Sequence, residues 1–424
     1  MCQRSQRPRT GVEEEAVPRP PAGSMARIRR ANTAHVLRLL RGSAQPQRIA
    51  GIAAETGLSR PTVEALAESL TGQGWLVEAE GVPQGGRRSP GRPARTYAFN
   101  AEAGWVLGID VGAHKVTACR ADLRGGPRAW GRRAADPATP AAERLELARC
   151  AVADAMRGAD GAAPVYAATL ATPGVVAADG RGVAVAPALP GWERADFAGW
   201  AAGVLPCPLR MENDANLAAL AEHAIGTARG RGDVVLLLLG ERLGAGVTVG
   251  GRLLRGHHGA GGEVGYTRMP GRRRPPAGFG ALEARVNADA IAAMAEQELD
   301  RSGGTAALRR LREAAGGARL PALADAARAG DPAAERVLAR LARRLAEGIA
   351  PMLLVLDPEM LVLGGGVSLM GDLLRTPLEA ELADRLLFTP EVALSQTGDQ
   401  GAVLGAVHHA LQSFEETVLT GITA

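Results

Sequence analysis

The sequence predicts an α/β protein in two parts, a winged helix-turn-helix head followed by a two-lobed body. Three observations carry this reading. Residues 31–99 read as amphipathic helical stripes and then two short strands around a loop rich in Arg, Gly and Pro. From Gly104 the pattern changes to buried strands alternating with helices. A strand, a glycine turn and a second strand open both halves of that body, at Gly112 and again at residues 240–246, as in a duplicated fold with two lobes around a cleft. A chain of 424 residues is also too long for one ordinary domain.

In the head, Val36, Leu37, Leu39 and Leu40 form one apolar stripe, and Ile49, Ile52 and Ala53 mark a second, short helix. Glu55-Thr56-Gly57-Leu58-Ser59 is a tight turn with glycine where a left-handed residue is needed. Ser59 can cap a third helix, and Pro61 is tolerated in its first turn. That helix buries Val63, Leu66 and Leu70. Trp75-Leu76-Val77-Glu78 reads as a strand, residues 81–93 as a loop, and Thr96-Tyr97-Ala98-Phe99 as the returning strand. Three short helices and a two-stranded wing result. In the body, strands are expected at 106–110, 116–123, 165–170, 234–239, 247–254 and 361–363. Helices are expected at 141–156 and 215–225, and they dominate from Ala284 to Ala350.

Composition narrows the function classes. Apolar residues make up 46% of the chain and aromatics only 3%, so Leu, Val and Ala must fill the core. Lys115 is the sole lysine. Residues 25–98 carry eleven arginines against five glutamates, while the whole chain carries only +4, so a basic head precedes a mildly acidic body. Such a head is suited to a polyanion. Cys2, Cys119, Cys150 and Cys207 have no paired short spacing, which excludes a disulfide framework or a metal knuckle. No apolar run has membrane-spanning length, and residues 1–24 lack the apolar segment of a signal peptide. A cytoplasmic protein with no membrane partner is expected. Residues 1–25 read as a disordered extension, and Met25 as an alternative start.

The third helix presents Ser59, Arg60, Thr62 and Glu64 near its N-terminus, where such helices meet base edges. The wing carries Arg87, Arg88, Arg92 and Arg95, and Gly91-Arg92-Pro93 is an extended, Arg-tipped segment able to enter a narrow minor groove. Double-stranded DNA is therefore the expected partner of the head. A solvated basic loop is the alternative for the wing.

The wing segment Ser89-Pro90-Gly91-Arg92-Pro93-Ala94, with Tyr97, Asn100 and LGIDVGAHK from Leu107, resembles the ROK family of repressors, open reading frames and sugar kinases, in its regulator branch. The similarity runs from about Ala31 to the C-terminus. It implies an actin-like (ribonuclease H-like), sugar-kinase-type body. The implied domains are residues 26–100 for the winged helix-turn-helix, 101–225 for lobe 1, completed by a C-terminal helix at 399–415, and 226–398 for lobe 2.

Measured against the family pattern, the nucleotide loops depart. The first retains Asp110, Gly112 and Lys115, but Ala113 and His114 replace Gly and Thr, and a bulky imidazole suits a phosphate cradle poorly. The second, Gly240-Glu241-Arg242-Leu243-Gly244, places Glu241 where phosphates would lie and Arg242 where the family has Gly. The sugar site is better kept. Glu212-Asn213-Asp214-Ala215-Asn216 resembles the segment of the catalytic base, so Asp214 is a vestigial base candidate and Asn213 a second hydroxyl partner. Gly262-Glu263-Val264-Gly265 makes Glu263 a sugar ligand by resemblance, and Glu283 aligns with another. Pro173-Gly174 and Pro190-Gly191-Trp192 match loops at the cleft, with Ala188 where an Asn is usual. Capping helices and tying loops is the competing role for these polar groups. At the family's zinc site the His position is Tyr266, and the Cys positions are Arg274, Pro276 and Ala281. None is a zinc ligand. His257 and His258 nearby read as solvent-facing, so no metal and no cofactor is expected.

The expected function is a DNA-binding regulator of carbohydrate-related genes, a repressor, whose kinase-like domain senses a sugar or sugar phosphate without phosphorylating it. A pseudo-palindromic operator implies a homodimer or homotetramer. Two alternatives stay open: an active ATP-dependent sugar kinase, and a DNA-binding protein whose kinase-like domain serves only oligomerisation.

Overall fold

The computed structural model describes residues 22–79, 95–159, 163–268, 275–276, 278–302, 309 and 319–419. The chain divides into two compact units, residues 1–99 with 417–424, and residues 100–416.

The first unit contains α1 (Ala22–Gly42), β1 (Gln47–Arg48), α2 (Ile49–Thr56), α3 (Arg60–Gly72), β2 (Leu76–Ala79) and β3 (Thr96–Phe99). β3 pairs antiparallel with both β1 and β2, giving a three-stranded sheet where two strands were expected. The apolar stripe of α1 buries Val36, Leu37 and Leu40, and α3 buries Val63, Leu66, Ala67 and Leu70. Ile52, Leu76, Tyr97 and Phe99 are buried as well. Each such aliphatic side chain contributes roughly 1.5–3 kcal/mol when removed from water. Residues 22–25, expected to be disordered, begin α1 instead. Ala22, Met25 and Ala26 are good helix formers, and adding residues to an existing helix costs far less than starting one. Residues 1–21 of that expected extension lie outside the described residues.

The second unit is built on two five-stranded sheets of the same plan. In the first, β4 (Trp105–Val111), β5 (Lys115–Asp122) and β6 (Pro127–Ala134) form an antiparallel meander. β7 (Val165–Thr172) then pairs parallel with β4, and β10 (Leu209–Asn213) parallel with β7, giving the order β10-β7-β4-β5-β6. Between them lie α4 (Ala141–Met156), the small pair β8 (Val175–Val176) and β9 (Val183–Val185), and α5 (Phe197–Val204). After α6 (Asp214–Ile225) the plan repeats. β11 (Val234–Leu239), β12 (Leu243–Val249) and β13 (Arg252–Leu253) are the meander. β14 (Met360–Gly364) and β15 (Glu391–Leu394) are the parallel additions, in the order β13-β12-β11-β14-β15. The matching topologies are the duplication that the two glycine-punctuated hairpins implied.

Helices α7 (Glu283–Val286), α8 (Ala288–Ser302), α9 (Arg319–Arg328), α10 (Pro332–Leu356) and α11 (Asp372–Ala383) belong to the second half. α12 (Gly401–Phe414) returns to pack on β4, β7 and α6. A side chain at Gly405 would collide with the backbone of Leu217, so only glycine lets α12 lie this close to α6. Helix α6 in turn packs on the second sheet, with Ala218 and Ala219 buried among Val234, Leu236 and Val362. The two sheets are thus joined through α6 and α12, and the turn after β4 meets the turn after β11, where His114 lies against Glu241. Two expected boundaries move. The loop expected over 240–246 ends at Leu243, and the strand expected over 247–254 is two strands broken by Gly250 and Gly251, both at positive φ.

Candidate functional site

The start of α3 is fixed by local chemistry. Gly57, at φ 71°, closes α2 with its N–H on Ala53 O. Ser59 Oγ accepts the Thr62 N–H at 3.3 Å and lies 2.8 Å from Thr62 Oγ1. Ser59 and Thr62 are therefore occupied with capping, whereas Arg60, Glu64 and Ala65 stand exposed. Arg95 Nε lies 3.3 Å from Glu78 Oε1 on the neighbouring strand, so in the free chain it holds the base of the wing. Arg87, Arg88 and Arg92 lie outside the described residues.

In the second unit the sequence-identified carboxylates gather. Asp110 lies one residue from the end of buried β4, and burial first, then the nearby Asp214, push its pKa up to about 7 against the pull of Lys115. Asp214 opens α6, is half-buried, and is shifted up by burial, with Arg242 opposing. Glu263 is half-buried and shifted up by burial, then by Asp214 and Glu283. These acids are close enough to repel one another, which is an arrangement suited to accepting hydrogen bonds from hydroxyl groups.

Two expected sugar ligands are bound by their own chain. Asn213 caps α6, Oδ1 accepting Asn216 N–H at 3.0 Å, while Nδ2 donates to Gly174 O at 2.9 Å. Buried Glu283 accepts Leu243 N–H at 3.0 Å and Gly280 N–H at 3.1 Å, and its Oε1 lies 2.8 Å from Arg242 Nε. It ties loops together. Tyr266, the last residue of a short 3-10 turn over Val264–Tyr266, is exposed.

The phosphate loops meet each other. His114 Nε2 lies 2.6 Å from Glu241 Oε2, so two of the residues that depart from the family pattern, 127 positions apart, pair with each other. Lys115 Nζ donates to Asp399 Oδ2 at 3.0 Å and to Asp399 O at 3.1 Å. Arg144, fully buried on α4, donates to the carbonyls of Gly112 and Ala113 and fixes the first loop from below. Gly240 N–H bonds to Arg242 O at 3.0 Å, making the second loop a closed turn before β12, with Gly244 already inside that strand. The Arg242 guanidinium turns away onto the Phe279 ring, 4.5 Å from its centre, and donates to Gly278 O at 2.8 Å. Arg144, Asp399 and the Arg242–Glu283 tie were not legible as site residues in the sequence.

The zinc ligand set implied by the resemblance does not fit the residues present. Tyr266, Pro276 and Ala281 stand at its described positions, and Arg274 lies outside them. His257 and His258 are exposed, their rings stacked edge to face at 4.5 Å. Among the described residues no group of three or more His, Cys, Asp or Glu is placed to share a metal ion.

The ROK family profile matches residues 106–413, most of the chain. The chain belongs to the ROK family. The profile of the IclR helix-turn-helix domain matches residues 31–80, so this ROK protein carries a helix-turn-helix ahead of the family domain. Among curated relatives, the bifunctional enzyme NanE/NanK of Brucella melitensis is 32% identical over 50% of this chain, which spans only 36% of that enzyme's length. The glucokinase of Streptomyces coelicolor is 29% identical over 72% of this chain and 96% of its own. A putative xylose repressor of Caldicellulosiruptor sp. is 26% identical over 82% and 88%. Among solved structures, a ROK family glucokinase from Streptomyces griseus with glucose and AMPPNP superposes with a TM-score of 0.62 at 27% identity, covering 73% of this chain and all of that one. A ROK family transcriptional regulator, described as a homologue of the E. coli Mlc protein, gives 0.76 at 20% identity, covering 93% and 99%. This second likeness extends the fold match to almost the whole chain.

Proposed function

We propose that this ROK protein is a sugar-responsive transcriptional regulator that does not phosphorylate its sugar. The observation that carries the proposal is the combination of a helix-turn-helix exposing Arg60 and Glu64 with a ROK domain whose phosphate loops close on each other through His114 and Glu241. Phosphoryl transfer is positioning and charge stabilisation. A carboxylate held in the second loop repels phosphate, and an imidazole occupies the first. Asp214 and Glu263 then serve as acceptors for hydroxyl groups of a bound sugar, and Asp214 has no transfer step to perform as a base. On this reading α3 enters the major groove with Arg60 and Glu64 at base edges, while Arg87, Arg88, Arg92 and Arg95 follow the phosphates and minor groove. Sugar binding changes operator affinity through a coupling free energy between the two sites, typically about 1–3 kcal/mol. A cytoplasmic homodimer or homotetramer on a pseudo-palindromic operator fits this role; among the described residues no helix is long and apolar enough to cross a membrane.

The second reading, an ATP-dependent sugar kinase, is favoured by retained Asp110, Lys115 and Asp214 and by the glucokinase similarity. A coupled ADP-release assay with ATP, magnesium and a sugar panel separates the two. The regulator reading expects no sugar-dependent turnover. Turnover of about 1 per second or more, abolished by Asp214→Asn, makes the protein a kinase.

A further inference from the structure

Behind the sugar-site segments lies a charged network that the phosphate loops do not use. Arg255, just after β13, gives its Nε to Glu212 Oε2, and its Nη2 lies 2.9 Å from His409 Nε2. Glu212 is buried, and its other oxygen accepts Asn213 N–H and Asn216 Nδ2, both at 2.9 Å. His409, buried on α12, meets Thr169 Oγ1 on β7 at 3.0 Å through Nδ1. A guanidinium has only donors, so His409 Nε2 must accept. The proton therefore sits on Nδ1 and is given to Thr169, which leaves the imidazole neutral. Burial, then the Arg255 cation, hold its pKa down to about 4, in keeping with that tautomer.

The placement matters more than the bonds. Glu212 stands two residues before Asp214, at the foot of α6, and Arg255 begins the loop that ends at Glu263. That loop lies flat on its neighbours. A side chain at Gly259 would strike Val176 O on β8, and one at Gly262 would strike Ala245 O on β12. Asn213 Nδ2 reaches Gly174 O, next to the same β8. The strand before Asp214 and the loop before Glu263 are thus fastened to each other by one arginine.

We propose that Arg255 is the positioning residue of the effector site, clamping the 256–263 loop onto the start of α6 so that Glu263 is held opposite Asp214, with neutral His409 orienting its guanidinium. The proposal rests on the sugar reading of this cleft but makes a prediction that needs no sugar. The full-length protein is compared with Arg255→Ala and with the pair Glu212→Gln/Arg255→Met, which removes both charges and leaves neither buried alone. Hydrogen–deuterium exchange is read by mass spectrometry over residues 212–217 and 256–266. Both segments are expected to exchange faster in both variants, although Arg255→Ala changes no residue within either segment, while β4 and β11 keep their protection. Faster exchange confined to residues 256–266 overturns the clamp. Calorimetric titration with D-glucose and D-xylose gives the second readout. For whichever sugar binds the wild type, the double variant should bind about tenfold more weakly, the equivalent of one lost charged hydrogen bond. Unchanged affinity overturns the proposal. If neither sugar binds the wild type, the sugar reading loses its support, and the exchange data alone decide the clamp.

Discussion

Truncating Glu283 to alanine removes three attachments at once and separates two roles for one residue. As a sugar ligand its loss would weaken effector binding and leave the fold intact. As a tie between loops its loss would leave the Leu243 and Gly280 N–H groups without acceptors, inside a site where Glu283 is only 3% exposed. Each orphaned buried donor costs about 1–3 kcal/mol. The ion pair adds less than a fully buried one, because the Arg242 side chain is 31% exposed and reaches water when released. Water entering the vacated space offsets part of the sum, so about 3 kcal/mol is expected for Glu283→Ala, and roughly half for Glu283→Gln, which keeps one acceptor. For a unit spanning residues 100–416 that corresponds to a fall in Tm of roughly 4–6 °C. Scanning calorimetry of the wild type and both variants measures it. A Glu283→Ala protein that melts within about 2 °C of wild type yet loses sugar binding would refute the tie and restore Glu283 as a ligand.

Other perturbations test separate parts of the structure. Ser59→Ala removes the cap of α3 and should cost about 1 kcal/mol of head stability, read as weaker DNA binding with the melting of the second unit unchanged; Arg60→Ala should leave stability alone and flatten sequence preference in competition binding. Asp110, with its pKa raised to about 7, binds its proton more tightly folded than unfolded, so it lowers stability as pH rises from about 4 to 7 and no further above that. Asp110→Asn should therefore match the wild-type Tm near pH 4 and exceed it by a margin that grows up to pH 7, as measured by thermal unfolding across that range; a variant less stable than wild type at pH 8 would contradict the burial argument. Elemental analysis of the purified protein should find no stoichiometric zinc, and one tightly bound equivalent would mean that other residues supply ligands.

The parts of the fold legible in the sequence were those written in local chemistry. Gly57, Ser59 and Pro61 fix the turn and start of α3 within the segment itself. β4 and β11 are runs of apolar residues buried on both faces, and α4 spans the stretch its periodicity gave, Ala141–Met156. β6 was not foreseen because it is an edge strand of Pro, Arg and Trp, mostly exposed, whose pairing is supplied by β5. β1 and β13 are two residues each, too short to leave a period. At the site, the acids Asp110, Asp214 and Glu263 could be found because their spacing to glycines and to the strand ends follows a motif. What they touch could not. Arg144 looks in the sequence like any helix-surface arginine, and Asp399 meets Lys115 across 284 positions. Whether Glu283 is a ligand or a tie depends on where Leu243 and Gly280 fall in space, which no local pattern records.

This chain is expected to read DNA sequence, and a sugar to alter the reading. Repeated selection of bound duplexes from a random library by the full-length protein, followed by anisotropy titration of the enriched sequence with and without D-glucose and D-xylose, tests it most directly. Enrichment of a pseudo-palindromic site is expected, with binding that weakens steeply with salt and an affinity that shifts about fivefold or more with the effector sugar. No enriched sequence, and no duplex binding even at low salt, would contradict it.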